Sequence, residues 1–154
     1  APSHGAIWRR DINTIVSKYT DWANNKTEDD EGVIVYDTMW GATEILAQRI
    51  KDELKEKGIS AKMFNLKEHH ISAVMNELLT AKYICVGSST LNRTILPKVA
   101  AFLTYMKGLA PKNRVGMAFG SYGWSGESID IIEDTLRSCG FDIMDKLKVQ
   151  YKPD

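Results

Sequence analysis

Several residue types that mark whole classes of protein are scarce in this chain of 154 residues. Two cysteines, Cys85 and Cys139, are too few for a disulfide framework, and 4 prolines and 11 glycines exclude collagen-like and low-complexity chains. Basic and acidic side chains both number 20, which argues against nucleic-acid binding. No apolar run approaches the roughly 18 residues of a membrane span. We therefore expect a soluble, cytoplasmic protein with two free thiols that binds neither nucleic acid nor membrane.

The first 31 residues differ in pattern from the rest. Apolar side chains recur at helical spacing over residues 11–23, which predicts an amphipathic helix. Residues 24–31, NNKTEDDE, contain no apolar side chain and predict a linker. The chain opens on Ala1 rather than methionine, with no helix or strand signal, so we expect a fragment of a longer protein. We place a domain boundary after Glu31.

From Gly32 onward, patterns of buried strands alternate with patterns of amphipathic helices. Strands are predicted at residues 33–36, 61–66, 83–87, 115–119 and 147–151, and helices at 44–57, 71–79, 97–106 and 127–139. Five strands joined by four helices through right-handed crossovers predict an α/β fold. Its core is a doubly wound five-stranded parallel sheet with helices on both faces.

The loops after strands one, three and four are the candidate ligand site, because such sheets bind ligands beyond the strand ends where strand order reverses. The first loop carries hydroxyls at Thr38 and Thr43, a single glycine, Gly41, and the start of a helix, with no lysine or arginine. Neutral donors of this kind suit one terminal phosphate. The same hydroxyls also suit ordinary turn and cap positions, which is the alternative reading.

The other two loops add polar and aromatic side chains. Residues 88–93 are polar except for Leu91, and residues 120–126 place three glycines around two aromatics. Trp40 lies in the loop after strand one and Trp124 in the loop after strand four. Each either stacks on a planar ligand or packs on neighbouring helices. A phosphate site beside stacking aromatics favours flavin mononucleotide (FMN). The fingerprints of dinucleotide-binding folds, Walker A loops, receiver domains and Cys-x5-Arg phosphatases all fail on spacing.

Three motifs resemble a known family. YDTMWGAT (36–43), VGSSTLNRTILP (86–97) and FGSYGWSG (119–126) look like the flavodoxin domain of flavodiiron proteins, also called A-type flavoproteins. The opening APSHGAIWR (1–9) resembles the last segment of the metallo-β-lactamase-like domain that precedes it in that family. The resemblance implies a flavodoxin-like sheet of order 2-1-3-4-5 in residues 32–154. Residues 1–31 would be the tail of the preceding domain plus a linker.

The resemblance also implies site residues. Trp124 is expected to stack on the outer face of the flavin ring, with Leu91 on the opposite side. Ala42 stands where family members often have serine or asparagine, so one side-chain donor is missing. His4 falls where the family places a ligand of its di-iron site, a role confined to the full-length parent. The FMN-binding residues implied are Thr38, Met39, Trp40, Gly41, Ala42, Thr43, Ser88, Ser89, Thr90, Leu91, Asn92, Gly120, Ser121, Tyr122, Gly123, Trp124, Ser125 and Gly126.

The function implied is electron transfer. Bound FMN would relay electrons from rubredoxin, or from another reduced cofactor or reductase, to the di-iron centre of the parent. That centre reduces dioxygen or nitric oxide, and the parent would be a homodimer or tetramer. No catalytic residue is expected in this chain, and the fragment alone is not expected to complete the reaction. Two alternatives stay open: a stand-alone FMN-dependent quinone reductase and a flavin-free flavodoxin-like interaction module.

Overall fold

A computed structural model describes residues 7–153, so the predicted metal ligand His4 lies outside the described residues. None of the described helices is long and apolar enough to cross a bilayer. The elements in chain order are α1 (Ile12–Ala23), β1 (Glu28–Asp37), α2 (Ala42–Glu56), β2 (Ser60–Asn65), α3 (Ile71–Leu78), β3 (Ala81–Ser88), α4 (Pro97–Leu109), β4 (Val115–Tyr122), α5 (Glu127–Ser138), β5 (Asp142–Ile143) and β6 (Leu147–Gln150).

The strands form one parallel sheet in the order β2-β1-β3-β4-β5, with β6 also paired to β4. The predicted α/β class and the order 2-1-3-4-5 are confirmed. Along β1, Val33 and Val35 face one core cluster, while Ile34 and Tyr36 face the other. Helix α2 covers the second cluster, and α3, α4 and α5 cover the first, so helices lie on both faces of the sheet as predicted.

Strand β1 begins earlier than its hydrophobic pattern indicates. It starts at Glu28, so the second half of the predicted linker is strand. The Glu28 amide donates to the Thr80 carbonyl at 2.9 Å, and the Thr80 hydroxyl donates to the Glu31 carboxylate at 2.6 Å. A register shift between Glu28 and Gly32 accommodates this extension. The side chains of Glu28, Asp29 and Asp30 are exposed, and a pattern search that depends on buried apolar residues cannot detect such a strand.

The outer edge strand is split into two pieces. The prediction of one strand at residues 147–151 identifies β6, which pairs with the second half of β4, but misses β5, which pairs with Val115 and Gly116. Lys146 lies between the two pieces, and its ammonium contacts Asp130 at 2.8 Å and Glu133 at 2.7 Å on α5. These contacts lower the pKa of both carboxyls and raise the pKa of Lys146. The sheet therefore has six strands in five positions.

Gly120 allows β4 to approach β3 closely, and its replacement tests that packing. A methyl group at Gly120 would overlap the carbonyl oxygen of Ser88, which is backbone and cannot rotate away. We expect Gly120→Ala to lower the free energy of unfolding by about 1–3 kcal/mol. Gly108→Ala is the matched control, since a methyl group there meets no atom within 4 Å. It lies in α4, where alanine should stabilise by up to about 1 kcal/mol. Urea unfolding measures both variants, and an unchanged Gly120→Ala midpoint would contradict the argument.

Candidate functional site

The carboxyl ends of β1, β3 and β4 lie side by side at one edge of the sheet. Asp37 is in register with Ser88, and Gly87 with Phe119, so the three following loops start within one region. Strand order reverses between β1 and β3, because β2 lies outside β1 whereas β4 lies outside β3. This is the switch point at which open α/β sheets bind ligands.

The loop from β1 to α2 is folded by its own side chains. The carboxylate of Asp37 accepts the amide of Thr38 at 2.8 Å, and the hydroxyl of Thr38 accepts the amide of Gly41 at 3.0 Å. Gly41 has a φ of +83°, a left-handed conformation that glycine adopts without strain. Helix α2 then begins at Ala42, and no side chain among residues 7–153 caps it. The amides of its first turn are therefore open to an external acceptor.

The start of α2 is also fixed from within the core. The hydroxyl of Tyr36, on the buried part of β1, donates to the carboxylate of Glu44 at 2.9 Å. Burial first, and then the Glu44 carboxylate, raise the pKa of Tyr36 above its usual value. The phenol therefore stays a hydrogen-bond donor at neutral pH and holds the first turn of α2 against the strand.

A buried cluster of three hydroxyls joins the three loops. Thr43, fully buried on α2, lies 3.0 Å from the hydroxyl of Ser89 and 3.3 Å from that of Ser121. Ser89 follows β3, and Ser121 belongs to β4. The amide of Met39 also donates to the Ser89 hydroxyl at 3.4 Å. These contacts fix the β1–α2 loop and the first turn of α2 relative to the segments that end β3 and β4.

The segment after β3 turns sharply and returns to the core. Ser88 donates its hydroxyl to the carbonyl of Ser89 at 2.7 Å and accepts the amide of Leu96 at 3.0 Å. The turn itself carries left-handed backbone at Asn92 and Arg93, with φ of 50° and 62°. Leu91 packs against the first core cluster. It lines neither of the two grooves described below, and its place against a flavin ring stays a prediction.

The third predicted loop is shorter than the sequence indicates. Gly120, Ser121 and Tyr122 belong to β4, which pairs there with β6, so only residues 123–126 form the loop. The side-chain amide of Gln150 donates to the carbonyl of Gly123 at 3.2 Å and anchors it. Pairing with β6 explains the difference, since β6 supplies the hydrogen bonds that extend β4 beyond its predicted end at Phe119.

An ion pair closes the far side of this loop. Glu127, the first residue of α5, contacts Arg93 at 3.0 Å. The hydroxyl of Ser125, the Glu127 amide and the Arg93 guanidinium lower the pKa of the Glu127 carboxyl. Glu127 therefore stays negatively charged and paired at neutral pH.

Two adjoining grooves open above the hydroxyl cluster. The first, of about 340 Å³, runs between the β1–α2 loop and the end of β4, and the second, of about 460 Å³, lies between the turn after β3 and the start of α5. They share Thr90 and Gly123. The first is lined by Met39, Trp40, Ala42, Ser89, Thr90, Ser121, Tyr122, Gly123, Tyr151 and Lys152, and the second by Thr90, Asn92, Arg93, Gly123, Trp124, Ser125 and Glu127.

The two tryptophans of these loops do not pack on helices, which was the alternative reading of their positions. Trp40 is 91% exposed in the first groove, and Trp124 is 98% exposed in the second. The remaining predicted residues divide by role. Thr38, Gly41, Thr43, Ser88, Gly120 and Gly126 shape the loops from beneath or behind, and the others except Leu91 line a groove.

Besides Arg93 and Glu127, which line the second groove, three side chains near the site were not among the predicted FMN-binding residues. Tyr151 and Lys152 line the first groove directly after β6, and the ammonium of Lys67, after β2, contacts the carbonyl of Thr38. Their positions directly after strands could have predicted all three, because the carboxyl ends of those strands lie at the same edge of the sheet. Among residues 7–153, no group of histidine, cysteine and acidic side chains is arranged to hold a metal ion.

The strand order and the site at the switch point define a flavodoxin-like α/β domain. Comparison with known proteins agrees: the family model described as flavodoxin matches residues 34–154. The chain belongs to the flavodoxin family, and FMN is the cofactor that this membership implies.

Relatives of known name refine this assignment. A nitric oxide reductase of Moorella thermoacetica is 42% identical over 94% of this chain and 36% of that protein. The solved rubredoxin oxygen:oxidoreductase of Desulfovibrio gigas has a TM-score of 0.89 and 40% identity, over 92% of this chain and 35% of that one. The flavodiiron protein of Giardia intestinalis has a TM-score of 0.92 and 27% identity, over 99% and 38%. The resemblance to flavodiiron proteins is confirmed, and this chain spans little more than a third of these relatives.

Removal of the Thr43 hydroxyl tests the buried cluster. Thr43→Val keeps the side-chain shape but leaves the hydroxyls of Ser89 and Ser121 without this partner, so we expect the free energy of unfolding to fall by about 1–3 kcal/mol. Thr104→Val is the control, because that hydroxyl is exposed on α4 and bonds only the carbonyl of Ala100, at 2.9 Å. Its effect should stay within about 0.5 kcal/mol. Equal urea midpoints for the two variants would show that the cluster does not stabilise the fold.

Proposed function

We propose that residues 32–154 bind FMN at the two grooves and transfer electrons through it within a longer flavodiiron protein. In this proposal residues 1–31 are the tail of a metallo-β-lactamase-like domain plus a linker, whose last four residues form the start of β1. The family match, the similarity to a flavodiiron protein and the position of the grooves at the switch point support it.

The exposure of Trp40 and Trp124 carries the proposal. Two tryptophans that are more than nine-tenths exposed leave a large apolar area in water at the switch point. The core does not require them, since both lie outside the two buried clusters. A planar ring system bound in the grooves would cover this area, and the apolar surface removed from water would contribute to its affinity.

The start of α2 fits the terminal phosphate of FMN. Its uncapped first turn supplies backbone donors and the positive end of the helix dipole, and Gly41 lets the chain bend without a side chain in the way. Ala42 lines the first groove and contributes no side-chain donor. Its backbone amide takes over that role, so the missing serine or asparagine does not remove the site.

The residues of this chain bind and orient the cofactor, while FMN supplies the redox chemistry. The hydroxyl cluster beneath the loops keeps the grooves in one shape, and the aromatic side chains would exclude water from the ring. In this proposal no residue of this chain moves a proton or forms a covalent bond.

The partners follow from what the relatives are named for. We propose that a rubredoxin, or another reduced cofactor or reductase, delivers electrons to this domain. The acceptor is a di-iron domain of the same protein, which reduces dioxygen or nitric oxide. His4 would be one ligand of that di-iron site. We further propose that the parent is a homodimer or tetramer in the cytoplasm.

Reconstitution tests the cofactor and its phosphate together. The purified chain should turn yellow with one equivalent of FMN and quench its fluorescence. Riboflavin, which lacks the phosphate, should bind at least about tenfold more weakly, because charged hydrogen bonds contribute about 1.5–3 kcal/mol each. Equal affinity would contradict a phosphate site, and a colourless protein would favour a flavin-free interaction module. Steady reduction of quinone by a nicotinamide cofactor would instead favour a quinone reductase.

Replacement of one tryptophan tests the stacking role. Trp124→Ala should raise the dissociation constant of FMN by about tenfold, since stacking on an aromatic side chain contributes about 1–3 kcal/mol. Flavin fluorescence should also recover in part, because the quenching ring is gone. Trp8→Ala is the matched control, as Trp8 is half-exposed before α1 and lines neither groove. An absorption spectrum and affinity unchanged in Trp124→Ala would remove this residue from the site.

A further inference from the structure

A lysine from outside the predicted phosphate loop lies against it. The ammonium of Lys67 contacts the carbonyl oxygen of Thr38 and is 3.8 Å from the carboxylate of Asp37. Its backbone is fixed by the side chain of Asn65, the last residue of β2, which accepts the Lys67 amide at 2.9 Å. Asn65 is itself buried and in register with Tyr36 on β1. The end of β2 therefore holds the backbone of Lys67, whose half-exposed side chain reaches the β1–α2 loop.

Lys67 contacts two groups at the start of the loop, the Asp37 carboxylate and the partly negative carbonyl oxygen of Thr38. The Asp37 carboxylate is only 7% exposed and accepts the Thr38 amide, so it is held in place at the start of the loop. The Thr38 carbonyl is an acceptor that a phosphate cannot use. A bound phosphate is itself an anion, and both groups would oppose it unless a cation compensates them.

We propose that Lys67 is a positioning residue of the phosphate site, which acts by neutralising Asp37 and engaging the Thr38 carbonyl and not by contacting the phosphate. The inference rests on the FMN-binding function proposed above. It gives the loop, which has no lysine or arginine between Asp37 and Glu44, a cation that the fold supplies from the neighbouring strand. The loop's donors are then left free for the ligand.

A double-mutant cycle separates this role from direct contact. Lys67→Met should weaken FMN binding by about tenfold at low salt, a difference of about 1.4 kcal/mol, and should change riboflavin binding by less than about twofold. Asp37→Asn keeps an acceptor for the Thr38 amide but removes the charge, so it should bind FMN at least as tightly as the unchanged protein. The double variant should recover most of the loss. Isothermal titration or fluorescence quenching measures all four proteins.

The control and a ligand-free measurement make the cycle specific. Lys62→Met also removes an exposed lysine with one acidic partner, Glu77 at 2.6 Å, and should leave both affinities unchanged. Without ligand, amide hydrogen exchange over residues 38–43 should be faster in Lys67→Met, since the contact to the Thr38 carbonyl is lost.

The outcomes are distinct. A double variant as weak as Lys67→Met would mean that the ammonium does not act by neutralising Asp37, and equal losses for FMN and riboflavin would mean a structural role; either result overturns the inference. If the unchanged protein does not prefer FMN to riboflavin, the phosphate site itself is wrong. If it does and Lys67→Met prefers FMN as strongly, only the role of Lys67 is wrong.

Discussion

The hydroxyl of Thr43 is the contact on which the rest of the site depends. It lies fully buried between the hydroxyls of Ser89 and Ser121, and so connects the first turn of α2 to the ends of two other strands. A buried hydroxyl without a partner costs about 1–3 kcal/mol, whereas three that bond each other fix their segments at little cost. The loops above this hydroxyl cluster can then differ in sequence and exposure, because the cluster itself holds the segments together.

The base of the site is tightly packed, whereas the tryptophans of the loops above it are exposed. Below, Gly120 lets β4 approach the Ser88 carbonyl so closely that no side chain fits between them. Above, Trp40 and Trp124 stand almost entirely in water. Folding alone would bury such side chains, because burying a large aromatic stabilises a protein by a few kcal/mol. Their exposure over a rigid polar floor is expected of a site that is completed by a ligand.

The sequence predicts the strands that are buried on both faces. It does not predict the strand segments that are exposed and held only by main-chain pairing. The runs around Val35 and Val86 identify β1 and β3 because strands buried on both faces must be apolar. The acidic start of β1 at Glu28 and the two-residue strand β5 are held by main-chain bonds, to which side-chain patterns are blind. The strand-end rule predicts most of the residues that line the two grooves. Leu91, which it also predicts, packs against the first core cluster because the turn after β3 directs it there, and Lys67 and Lys152 were missed because the rule was applied to only three of the strands.

Charge around the site is balanced by pairing and not by the absence of acids. Asp37 lies near Lys67 on the side of the phosphate loop, and Glu127 pairs with Arg93 beside the second groove. Each acid is at the start of a loop or helix, and each base comes from a different segment, so the pairs also hold those segments together. The Arg93–Glu127 pair is largely exposed and contributes little to stability, whereas the Asp37 carboxylate is buried. Beside the anionic ligand proposed above, both pairs would matter in another way, because an acid left unpaired would repel the ligand and a base left unpaired would bind anions without discrimination. In the proposed site, this pairing would leave the backbone donors of α2 to select a phosphate by geometry.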